Sequence, residues 1–131
     1  MKSLLVALVA GWMCVLGGQV SAHHSFAATY EEHKSVTIEG DLVRMLLRNP
    51  HSFVRVMVKE KDGSTAAYEV EWDGAAQLNG QGVRIESLKA GDHVVISGNP
   101  GRNPADHRVR MISLRRTSDG FGWSLHHGEL D

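Results

Sequence analysis

The sequence predicts an all-β fold with one short helix, and three observations carry that expectation. Apolar residues recur at every second position in several separate segments, the period of a strand with one buried face. Glycine-containing and Asn-Pro turn signals divide those segments. Only one segment, after Asp73, spaces its apolar residues as a helix does.

The elements follow in order. Val36, Ile38 and Leu42, extending toward Leu46, form a first strand interrupted by Gly40, which predicts a bulge or tight bend. Ser52 to Lys59 is a second strand, with Val54, Val56 and Val58 on one face. Asp62-Gly63 is a hairpin signal. Thr65 to Trp72 is the third strand, with Tyr68, Val70 and Trp72 opposite Glu69 and Glu71. Asp73 is placed to cap a helix through Ala75, Ala76 and Leu78, which Gly80 and Gly82 end. Lys89 to Asp92 is a turn, His93 to Gly98 a fourth strand, Asn99 to Pro104 a loop and Arg108 to Arg115 a fifth strand. The order β-β-β-α-β-β matches a small five-stranded Greek-key barrel of the OB type. A two-sheet sandwich competes, but sandwiches use about seven strands.

Residues 1–22 have the three parts of a secretory signal peptide. Lys2 supplies the charge, Leu4 to Leu16 the apolar run, and Val20-Ser21-Ala22 the small residues of a cleavage site. A retained anchor is the alternative, but the run is shorter than the roughly 20 residues that span a bilayer. Cleavage after Ala22 is therefore expected, with the bacterial periplasm as destination. The chain divides into 1–22 as signal peptide, 23–34 as an N-terminal arm, 35–116 as the barrel domain and 117–131 as a C-terminal tail.

Composition narrows the function. The 131 residues are 42% hydrophobic and 22% charged, which favours a folded chain over a disordered one. A formal net charge of -1 disfavours a nucleic-acid binder, which needs a basic surface. The one cysteine, Cys14, lies in the expected leader, so neither an internal disulfide nor a thiolate zinc site is available.

Several short runs carry a family resemblance. Ala22-His23-His24-Ser25-Phe26-Ala27 leads to Tyr30, then to Val36-Thr37-Ile38-Glu39-Gly40. Asn49-Pro50-His51-Ser52 and Leu88-Lys89-Ala90-Gly91-Asp92-His93-Val94 follow. Over roughly residues 23–116 the chain resembles a family of small exported bacterial proteins, domain of unknown function 6152. The His-His-Ser-Phe start and the Asn-Pro-His turn are the specific parts. The resemblance implies export, a β-rich domain and no assigned catalytic residues. This chain has Leu46-Leu47-Arg48 where the family usually places an aromatic before Asn-Pro-His.

The eight histidines are the sharpest chemical feature. After cleavage His23 would offer its α-amine and imidazole to one metal ion, with His24, His51 or His33 completing the site. Such nitrogen ligands suit Cu(II), Ni(II) and Zn(II). His23, His24 and His51 are the candidate ligands, and copper the expected metal. The other reading is a solvated arm, with His51 orienting its turn through a backbone carbonyl. His93, His107, His126 and His127 show no pattern that favours a site. The pair of ligands is similar to the copper brace of oxidative polysaccharide enzymes, an analogy that carries no activity with it.

Other chemistries have less support. Met45, Met57, His51 and Trp72 are the pieces of a Cu(I) thioether site, but Met57 and Met111 fall at strand period, as packing residues do. Glu69 and Glu71 share a strand face, which predicts a solvated face rather than a pair of catalytic acids. Arg108, Arg110, Arg115 and Arg116 are read in the same way as a solvated strand face. No nucleophile elbow, phosphate loop or dinucleotide fingerprint occurs. The sequence thus predicts a periplasmic binding module without catalytic constellation. The alternative is an interaction module that serves a periplasmic protein partner and holds no small ligand.

Overall fold

The computed structural model of the chain describes residues 26–125. The expected signal peptide, its cleavage site, and His23, His24, His126 and His127 lie outside the described residues. Among those residues no helix is long and apolar enough to cross a membrane.

The described residues form six strands: β1 (Val36–Leu46), β2 (Ser52–Lys59), β3 (Thr65–Trp72), β4 (His93–Pro100), β5 (Arg108–Arg116) and β6 (Gly122–Ser124). Helix α1 (Ala75–Gly80) lies between β3 and β4, and a helical turn occupies residues 26–29. The sheet runs β3-β2-β1-β4-β5-β6, and a parallel pairing of β3 with β5 closes the first five strands into a barrel. This is the OB-like order expected from the sequence.

Alternation explains the core. Val54 and Val56 of β2 are fully buried, and Ile38, Leu42, Val70, Val94, Ile96, Val109 and Leu114 join them from the other strands. Each such side chain contributes about 1.5–3 kcal/mol of transfer free energy. Leu78 of α1, fully buried, belongs to the same core with Val83 and Leu88.

Three expectations are corrected. Gly40 does not mark the bulge, since its pairs with Val58 and Val94 are in register. The irregularity falls between Leu42 and Arg44. Gly40 serves close approach instead, because a Cβ there would lie 2.1 Å from the Met57 carbonyl oxygen. Asp73 does not cap α1. The N-cap residue is Gly74, and the Ala75 and Ala76 amides donate to the Arg48 carbonyl and Asn49 Oδ1. Finally, the segment expected to be a tail supplies β6. Trp123 is buried there, its ring edge-on to Trp72 at 5.2 Å, and its Nε1 donates to Gln81 Oε1. Glycines and lost periodicity hid a strand of three residues.

Two stability predictions follow from this framework. A Cβ at Gly98 would lie 2.0 Å from the Arg110 carbonyl oxygen, where β4 and β5 meet. Gly98→Ala should cost about 3 kcal/mol in urea unfolding. Gly80→Ala, with nothing within 4 Å, should stay within about 1 kcal/mol of the parent. Equal midpoints for the two variants would contradict the close approach.

The second prediction concerns His93, whose Nδ1 lies 2.7 Å from Asp41 Oδ1 and Nε2 3.0 Å from Glu39 Oε1. These bonds raise the imidazole above its usual 6.5. The stabilisation is complete below that value and disappears as pH rises through the raised one. Melting temperature should fall slightly across the neutral range, and His93→Gln should flatten that slope. A slope retained in the variant would assign it elsewhere.

Candidate functional site

The site forms where the first described residues meet the ends of β3 and β5. Three elements converge there. The turn before β2 carries Arg48, Asn49, Pro50 and His51, with a cis bond between Asn49 and Pro50. Asn49 and Arg48 are fixed by the start of α1, as described above. Ser52, fully buried, donates its hydroxyl and its amide to the Arg48 and Asp73 carbonyls. A side chain at Gly74 would meet the Pro50 carbonyl oxygen at 2.6 Å, so glycine lets this turn pack on the helix start.

His51 emerges from that turn onto Glu71 of β3. Its Nδ1 lies 2.6 Å from Glu71 Oε1. An ionised carboxylate only accepts, so the Nδ1 proton belongs to His51 and the neutral ring keeps its lone pair on Nε2. Among the described residues Nε2 carries no bond, and the side chain is about one-third exposed. Glu71 is itself buried, and its second oxygen accepts from the Tyr30 hydroxyl at 2.5 Å. Arg108 Nη2 stands 3.6 Å from the same oxygen. A buried carboxylate is tolerated here because every side of it meets a donor. Burial pushes the Tyr30 hydroxyl well above its usual range, and the bond to Glu71 pushes it further.

The arm closes the site from above. Tyr30 is fully buried and bridges to Gly101. The Arg102 amide donates to the Thr29 carbonyl, and Arg102 Nε to the Ala27 carbonyl. Phe26 packs on His51 with ring centroids 5.0 Å apart. The Arg110 guanidinium carbon sits 3.9 Å from the Phe26 centroid, a cation–π contact. Beside them, Asp73 Oδ2 is buried and has no hydrogen-bond partner among the described residues. Burial pushes its carboxyl up, against a smaller downward pull from the Arg110 charge.

Phe26 and His51 come from the two runs that gave the sequence its specific resemblance, and they touch. The profile of a family of unknown function (DUF6152) matches residues 11–110. The chain belongs to that family. No curated protein matches it. The matched stretch contains every residue of the site, from Phe26 to Arg110.

Of the candidate ligands, His51 is in the site, while His23 and His24 lie outside the described residues. His51 does not orient its turn through a backbone carbonyl, since its partner is the Glu71 carboxylate. His33 is exposed in the loop before β1. Among the described residues no three His, Cys, Asp or Glu side chains form a ready metal cluster. The thioether set is not assembled: Met57 is six residues from His51, about 20 Å at strand rise. Trp72 is packed in the core against Trp123.

Two solvated-face expectations are corrected. Glu71 faces away from the core as alternation predicts, yet the arm buries it. Arg108 and Arg110 are half-buried and hold Tyr30 and Phe26. Arg116 is also shielded, bonding Asp92 and Asp119. Tyr30, Glu71, Arg108 and Arg110 were missed as site residues. Only the aromatics in a polar arm hinted that it would dock.

Tyr30→Phe isolates the central bond. It should destabilise the fold by about 2 kcal/mol, because a buried carboxylate loses a donor. Chemical denaturation measures this, and a loss below about 0.5 kcal/mol would mean that Arg108 and water replace the hydroxyl fully.

Proposed function

We propose that this small β-barrel is an exported periplasmic binding module that captures one transition-metal ion, copper foremost. His51 Nε2 would be the anchoring ligand, with His23 and His24 brought by the arm. The observation that carries this reading is the His51–Glu71 contact under Phe26. Metal-binding histidines commonly give their other ring nitrogen to a carboxylate, which fixes the ring and strengthens the donor. Phe26 brings the arm to His51, and His24 is two residues before it, a reach of at most about 7 Å. His23 is one residue further and would add its α-amine once the leader is cut. Three imidazoles and an amine fit Cu(II) better than a hard cation such as Mg(II). The proposal is binding, with no catalytic step.

A second reading has its own support. Val43, Leu46 and Met57 are exposed on β1 and β2, with Arg44 and Arg55 between Leu46 and Met57, a mixed surface that would suit a protein partner. In that reading the module serves a periplasmic partner and the histidines are incidental.

Native mass spectrometry decides between them, on untagged protein exported with its own leader and titrated with copper. The metal reading expects a mass beginning at His23 with one copper per chain. His51→Ala should weaken copper binding by about tenfold or more. A residue added before His23 should also weaken it. Protein that stays metal-free after copper is added, or an unchanged affinity in His51→Ala, would sink the metal reading and leave the partner reading.

A further inference from the structure

A second feature lies on the outer face of the barrel, and the copper reading does not use it. The strand register aligns Arg44, Arg55, Glu69 and Arg108 in one row across β1, β2, β3 and β5. Arg44 stands directly opposite Arg55. Like charges directly opposite each other destabilise a sheet. Glu69 answers part of this, accepting from Arg55 Nε at 2.5 Å with Arg44 Nη2 4.0 Å away. Arg48 adds a further guanidinium beside the row, 5.1 Å from the Phe53 ring centroid.

These side chains line one groove of about 450 Å3. Four guanidinium groups line it with two carboxylates, Glu69 and Asp106, and Arg108 also faces Glu71. The whole chain carries a formal charge of -1, yet the lining of this groove has more cationic than anionic side chains. Guanidinium forks match carboxylate and phosphate oxygens in pairs. The volume is that of a small-molecule site, not of a track for a polymer.

We propose that this groove binds a small polyvalent oxyanion, a polyphosphate or polycarboxylate, with Arg44, Arg48, Arg55 and Arg108 as its donors. Glu69 occupies part of the same donor set and competes with the ligand. The anion removes the repulsion that the Arg44–Arg55 pairing leaves.

Isothermal titration of metal-free protein with pyrophosphate and with citrate tests this at low ionic strength. One of the two should bind at one per chain, and the stronger identifies phosphate or carboxylate as the source. Arg44→Gln and Arg48→Gln, both on exposed side chains, should each weaken that binding at least about fivefold. Glu69→Gln should tighten it about threefold by removing the internal competitor. Lys89→Gln, an equal charge change in an exposed turn, should leave it unchanged. Absence of saturable binding by either anion would overturn the proposal. So would equal losses in Lys89→Gln and the arginine variants, which would reduce the effect to net charge. Tight binding of single-stranded oligonucleotide without pyrophosphate binding would replace it with a polymer site. Metal-free protein keeps these outcomes separate from those of the copper experiment.

Discussion

The Glu71 carboxylate sets the terms for the rest of this molecule. It lies at the end of β3, on the strand face opposite Val70 and Trp72, and would be solvated in a bare barrel. A charge cannot be covered unless donors cover it. The hydroxyl of Tyr30, the Nδ1 proton of His51 and the guanidinium of Arg108 do so from three separate parts of the chain. Removing this acid would take the acceptor from a buried hydroxyl and one carboxylate from Arg108. The same acid fixes the proton on one nitrogen of His51, so a packing requirement also sets the chemistry of the ring.

The barrel positions these groups through its connections. The turn that delivers His51 is bonded to the start of α1, and α1 shares the core with Val83 and Leu88. Trp123 extends that core from β6 onto Trp72, the residue after Glu71. The arm is tied to the loop after β4 through Tyr30, Gly101 and Arg102. Each site residue therefore moves only with an element that is itself packed.

Strand periodicity made the barrel legible. Val54, Val56 and Val58, or Val70 and Trp72, announce a strand and its inward face in a few residues. Strand limits at Ser52, Lys59, Thr65 and Trp72 match because polar turns bound those runs on both sides. The candidate site was legible only at His51. Alternation assigns Glu71 to the outer face, which is correct, but says nothing of what later covers that face. The arm has no period, so its docking depends on contacts between residues far apart in the chain, as between Phe26 and His51 or Tyr30 and Glu71. β6 escaped for a similar reason: three residues are too few to show a period, and its fate rests on Trp123 finding Trp72.

The closing pairing of the barrel has a mechanical meaning. Only three residue pairs join β3 to β5: Glu69 with Arg108, Val70 with Val109, and Glu71 with Arg110. That is the shortest join in the closed circuit, and thus the line along which the cylinder would part first. Its outer residues are also the charged members of both the His51 site and the arginine row. A guest in the arginine row would lie across this join as a clasp, held by Arg55 on one side and Arg108 on the other. Occupancy would then be felt by the whole barrel as resistance to opening, since whatever binds only the closed form stabilises it.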